Sequence, residues 1–138
     1  MDNSDTDTGK LELGFLPDPE NWHLWPDLLA LIDTAAKRGG FRAWDENDLA
    51  WIAIDKGEVI GVATTRMLVG GQAELMHIAG VRHREWCPPL EAMICDWARA
   101  NDCDFLISQG RKGWWPIAKR LGWQQAGQDT LHFYEKRL

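Results

Sequence analysis

Apolar positions along the chain switch between a period of two and a period near 3.6. Lys10–Leu16 alternates apolar and polar residues and stops at Pro17 and Pro19, which predicts a first strand. Trp25-Pro26-Asp27 opens a helix, with proline tolerated in its first turn. Leu28, Leu31, Ile32 and Ala35 then fall at i, i+3, i+4 and i+7 on one face. Lys37 and Arg38 complement the helix dipole at its end, and Gly39-Gly40 stops it. Phe41–Asp48 is polar and irregular. Leu49–Asp55, Val59–Val69 and Gln72–Val81 read as a three-strand meander with turns at Lys56-Gly57-Glu58 and Gly70-Gly71.

Cys87-Pro88-Pro89 precedes a second helix, expected over Pro89–Asn101. Its apolar face carries Leu90, Met93, Ile94, Trp97 and Ala98. Asp104–Ser108 is a short buried strand, and 109–113 is a loop. A short helix follows with Trp114, Ile117, Ala118 and Leu121 on one side. Trp123–Ala126 and Thr130–Lys136 are the last strands, joined by Gly127-Gln128-Asp129. The order is β-α-β-β-β-α-β-α-β-β. One helix links Gln72–Val81 to Asp104–Ser108, so those two strands should be parallel neighbours joined by a right-handed crossover.

The chain has 138 residues, enough for one core, and its 45% hydrophobic and 26% charged content is ordinary globular usage. That excludes a disordered chain, a fibre and a coiled-coil rod. No apolar run reaches bilayer-spanning length, and the acidic start lacks the apolar stretch of a secretory signal. These features predict a soluble, cytoplasmic protein with no membrane partner. The net charge of −6 argues against nucleic acid as a partner. It divides unevenly, −8 over residues 1–80 and +2 over 81–138. Asp2, Asp5 and Asp7 suggest a mobile acidic tail over residues 1–9 ahead of a single domain over 10–138.

Cys87, Cys95 and Cys103 are odd in number and spaced by eight, which fits reduced thiols rather than a disulfide framework or a zinc site. Four scattered histidines suggest no metal. Nine tryptophans are the compositional oddity. Trp22, Trp86 and Trp115 fit none of the periodic core patterns above. At least two of them are expected to be exposed and to anchor a contact with another protein or a second copy.

Taken together, the element order resembles that of the GNAT superfamily, the acyl-CoA-dependent N-acetyltransferases, over residues 10–138. The segment "WIAIDKGEVIGVATTR" is similar to that superfamily's central hairpin, "AELMHIAGV" to its fourth strand, and "IAKRLGWQQAG" to the end of its last helix. The resemblance implies an α/β fold with a mixed, mostly antiparallel central sheet, one parallel pair splayed at its C-terminal ends, and three or four helices.

It also implies a place for the cofactor. After its fourth strand the superfamily carries Q/R-x-x-G-x-G/A, whose glycines let backbone N–H groups close on a CoA diphosphate. Here that stretch is Val81-Arg82-His83-Arg84-Glu85-Trp86-Cys87-Pro88-Pro89, without a glycine. If CoA binds, Val81, Arg82 and Arg84 are the residues to meet it. Members of the superfamily often carry a catalytic Tyr four residues before the last-helix glycine. Counting back from Gly122 gives Ala118, and the only tyrosine is Tyr134 in the last strand. Glu74 aligns with the strand-four glutamate that some members use as general base.

The loop "GRKGWWPIAKRLGW" is similar to one in GNAT-like proteins of tailed phages and prophages. There Arg111 and Lys112 would project toward a partner. The reading favoured on these grounds is a GNAT-fold protein without acetyltransferase activity and without a cofactor, acting as a phage or prophage structural or assembly component, in the cytoplasm or the virion. Its partners would be phage structural proteins or copies of itself. The alternatives are an active N-acetyltransferase using acetyl-CoA in an atypical site, with Glu74 as base, and a CoA or nucleotide binder without chemistry.

Overall fold

The computed structural model describes residues 11–39, 42–110, 114–126 and 132–138. The acidic tail, Arg111, Lys112 and the turn at Gly127-Gln128-Asp129 lie outside the described residues. The strands are β1 (Glu12–Leu16), β2 (Leu49–Asp55), β3 (Glu58–Leu68), β4 (Gln72–Gly80), β5 (Phe105–Gly110), β6 (Gln124–Ala126) and β7 (His132–Arg137). The helices are α1 (Trp25–Gly39), α2 (His83–Ala100) and α3 (Trp115–Arg120), with a 3-10 turn at Pro19–Asn21.

All seven strands form one sheet in the order β1-β2-β3-β4-β5-β7-β6. Every pair is antiparallel except β4–β5, which is parallel with α2 as its crossover. The expected strand order, crossover and mixed sheet are therefore those observed.

Alternation along the strands divides the core between the two sheet faces. Trp51, Ala53, Ala73, Leu75 and Leu106 pack with α2. Ala50, Ile52, Val62 and Ala79 pack with Leu28, Ile32 and Ala35 of α1. The helix α3 lies on the α2 face.

The start of α2 differs from expectation. The sequence reading begins this helix at Pro89, because proline fits a first turn. The structure begins it at His83, with both prolines in the second turn. There they forfeit the backbone bonds to the carbonyls of Arg84 and Glu85. Residues 84, 85, 88 and 89 are all exposed, so water can take over those carbonyls. The buried stripe is Trp86, Cys87, Leu90, Glu91, Ile94, Cys95 and Ala98, one turn longer than expected and rotated away from Met93.

Candidate functional site

Two departures from a regular sheet shape the centre of the molecule. In the β3–β4 ladder, Ala63 pairs with Ile78 but Thr65 pairs with Leu75. Met76 and His77 therefore face Thr64 together in a β-bulge, which bends β4. The β4–β5 ladder runs only from Gln72↔Phe105 to Leu75↔Ser108. Beyond it β4 continues to Gly80 and β5 to Gly110 without pairing, as expected of splayed strands. A cavity of about 260 Å³ occupies this opening. Its walls include Ile78 and Ala79 of β4, Ser108 of β5, and Leu90 of α2. Ile117 of α3 and Ala35 of α1 complete them. The Ser108 hydroxyl donates to the Leu75 carbonyl at 2.7 Å, at the point where the strands part.

At one mouth the chain passes from β4 to α2 in two residues. Gly80 has φ +137° and lies so close to β3 that a Cβ there would meet the Ile60 carbonyl oxygen at 2.1 Å. Arg82 caps the helix in the left-handed region, φ 59° and ψ 42°. A left-handed residue leading into a helix turns successive N–H groups toward one point. That of Arg84 has no acceptor within the helix.

The expected cofactor residues are brought together here, but two are already occupied. The Val81 N–H donates to Ile60 O at 2.8 Å, and its carbonyl accepts the Trp86 indole N–H at 2.7 Å. The Arg82 guanidinium bonds Asp55 at 2.5 Å and Glu85 at 2.7 Å, which raises its pKa and depresses that of Glu85. Arg84 is exposed and makes no ion pair among the described residues.

The acidic and basic groups near the cleft are engaged. Glu74 lies on the paired half of β4, opposite Ile107, where its carboxylate takes the Arg66 guanidinium at 2.6 Å. It does not line the cavity. The carboxylate that does is Glu91 on α2. It accepts from Lys136 Nζ at 2.6 Å, Trp123 Nε1 at 2.9 Å and Cys95 Sγ at 3.4 Å.

His77 is fully buried under the bulge. Its Nε2 lies 2.7 Å from Arg42 O, and its Nδ1 lies 2.6 Å from Thr64 Oγ1. The carbonyl can only accept, so Nε2 carries the proton and the Thr64 hydroxyl donates to Nδ1. Burial lowers the pKa of this imidazole. Arg42 in turn holds the Asp48 carboxylate at 2.5 Å and 2.9 Å. Tyr134 is buried, lines the cleft from β7, and stacks on Trp115 at 5.7 Å; burial raises its pKa. The three cysteines are free and buried, with Cys87 pushed up to about 12 and Cys95 to about 11 by desolvation.

The expectation of exposed tryptophans is overturned. Trp86 is 1% exposed, with its ring on Gly61 of β3. The reading of 82–89 as a loop misplaced it; as part of α2 it stands one turn before Leu90. Trp22 and Trp115 are half-buried, the first packed against the α1 core and the second on Tyr134. Sequence reasoning missed Glu91 and Tyr134 as cleft residues. An acidic side chain beside Leu90 on an apolar helix stripe was the available signal for the first. Among the described residues, no group of His, Cys, Asp and Glu side chains is placed to hold a metal ion, and no helix is long and apolar enough to cross a membrane.

No protein-family model matches this sequence, and no curated protein matches it. Solved structures do match by fold. The PaiA N-acetyltransferase of Thermoplasma acidophilum, solved with coenzyme A, aligns at TM-score 0.73 and 12% identity, covering 94% of this chain and 99% of that one. An acetyltransferase of the GNAT family from Staphylococcus aureus aligns at 0.72 and 11%, with coverages of 94% and 99%. The IAA acetyltransferase of Bacillus cereus aligns at 0.65 and 15%, with coverages of 94% and 100%. The mixed sheet, the opened β4–β5 pair and the α2 crossover are thus those of the GNAT acyl-CoA N-acetyltransferase fold, carried here on a sequence of its own.

Proposed function

We propose that this protein binds an acyl-CoA in the β4–β5 cleft and lacks a dedicated acid–base pair for transferring the acyl group. The observation that carries the binding half is the cleft itself. It is preformed, mostly apolar, and leads from the opened strands to the start of α2. Pro88 and Pro89 stand in the second turn and take no donors from that start. The Arg84 N–H and side chain would hold the diphosphate. Ile78, Ala79 and Leu90 would line the path of the neutral thioester arm. The cofactor's own contribution is an activated acyl thioester.

The second half of the reading is supported by the engaged carboxylates. Glu74 is paired with Arg66 away from the cavity, and Glu91 is neutralised by Lys136. Position 118 holds alanine. A second reading, a role in phage or prophage assembly through a protein partner with the cleft inherited rather than used, rests on the resemblance of the loop "GRKGWWPIAKRLGW". Calorimetry of acetyl-CoA and CoA on the purified chain separates the two. A dissociation constant at or below the order of 10 μM, roughly −7 kcal/mol, supports the binding reading, and no heat from either ligand refutes it. Release of free CoA thiol from acetyl-CoA in the presence of amines would refute the claim that transfer is absent.

A further inference from the structure

We infer that the cleft accepts an acyl chain longer than acetyl, an unbranched aliphatic one, threaded between β4 and β5 toward α1. This deepens the binding reading above and rests on it. The helices α1 and α2 pack on opposite faces of the sheet, yet one cavity touches both. It is lined by Leu90 and Ile94 of α2 and by Leu31 and Ala35 of α1. A continuous cavity with those walls has to pass through the sheet. Among the described residues, the interior ladder that ends early is β4–β5, after Leu75↔Ser108.

The passage is kept open by small side chains. Ala63 on β3 faces the α2 side, Ala79 on β4 faces the α1 side, and both line the cavity. Ala35, directly across from β4 on α1, is the third. Larger residues at these positions would fill the passage as core. Toward α1 the polar groups are Gln109 of β5, Thr34, whose hydroxyl turns back to the Ala30 carbonyl at 2.9 Å, and the exposed Arg38. No carboxylate joins them from the described part of α1. A chain of methylenes suits such a wall, because apolar side chains facing an empty space lose their dispersion contacts. An acetyl group ends one carbon past the thioester carbonyl and leaves the α1 end uncovered.

The test is calorimetry on the full chain with CoA, acetyl-CoA, butyryl-CoA and hexanoyl-CoA. A fully buried methylene strengthens binding roughly fourfold. Allowing for incomplete burial, the dissociation constant should fall about tenfold from acetyl to butyryl and further for hexanoyl. Ala35→Leu, which places a larger side chain at the α1 end, should bring the butyryl-to-acetyl ratio back to about one. Leu31→Phe, at a half-buried position, makes the same test should Ala35→Leu not fold. Equal constants across the acyl series with acetyl-CoA bound would overturn this inference and leave the binding reading standing, as would a ratio unchanged in both variants. Failure of all four ligands to bind would overturn the binding reading, and this inference with it.

Discussion

Gly61 and Trp86 form a pair whose coupling can be measured. The Trp86 ring lies on the bare Cα of Gly61, and a Cβ built there would meet ring carbons at 2.3, 2.5 and 2.7 Å. Ordinary contact begins near 3.4 Å, so Gly61→Ala forces the indole back by about 1 Å. The indole cannot yield freely. It is 1% exposed and its N–H is tied to Val81 O at 2.7 Å. Overpacking of this kind costs about 1–3 kcal/mol. For a chain of this size that is a fall in Tm of about 4–12 °C.

The sign is diagnostic. Were the space beside Gly61 open, alanine would stabilise by about 0.4–1 kcal/mol through the unfolded state. Trp86→Leu alone should cost about 2–4 kcal/mol as a large-to-small core change. The double variant should be more stable than the sum of the two losses by more than about 1 kcal/mol, because the clash disappears with the ring. Urea unfolding of the four proteins gives the cycle. Strict additivity, or a Gly61→Ala protein as stable as the parent, would refute this account of why β3 carries glycine there.

Three further outcomes are expected. Glu91→Ala leaves Lys136 half-buried without its carboxylate and should cost about 3–5 kcal/mol, whereas Glu91→Leu combined with Lys136→Met should cost far less in the same unfolding assay. The lowered His77 pKa means that the unfolded chain takes up a proton before the native one does. Stability should therefore fall as pH drops below the ordinary histidine value of about 6.5, and His77→Gln should flatten that slope between pH 7 and 5. Burial holds all three thiols protonated, so a disulfide reagent at pH 8 should modify Cys87 and Cys95 slowly in the native protein and rapidly in denaturant.

Strand order was readable because each strand has its own period and its own turn. Leu49–Asp55 is recovered residue for residue, and the meander closes on Gly57 and Gly70 at positive φ. The crossover helix was readable in kind but not in extent. Prolines are strong local punctuation, yet on an exposed helix face they forfeit only bonds that water can replace. The periodic signal Trp86-Leu90-Ile94 was present in the sequence and was outweighed by them. That one misplaced boundary turned a core tryptophan into an expected surface anchor. The bulge at Met76-His77 had no sequence signal, because it depends on register against β3. The Glu91–Lys136 pair was equally silent, since its partners lie 45 residues apart and meet only when β7 joins β5.

The placement of charge shows what the carboxylate and the buried imidazole near the cleft are used for. A carboxylate in an apolar cavity is costly unless it is matched, and Glu91 is matched on one oxygen by both Lys136 and Trp123. The same bonds tie α2 to β7 and to the connection between α3 and β6. What an unpaired Glu91 would offer as an acid–base group is thus used to hold these elements in place. His77 makes the corresponding trade on the other side of the sheet, where its ring fixes residue 42 against the bulge. Glu91 and His77 are therefore committed to the shape of the opened strands, and the acid–base capacity of these two groups is held in structural bonds.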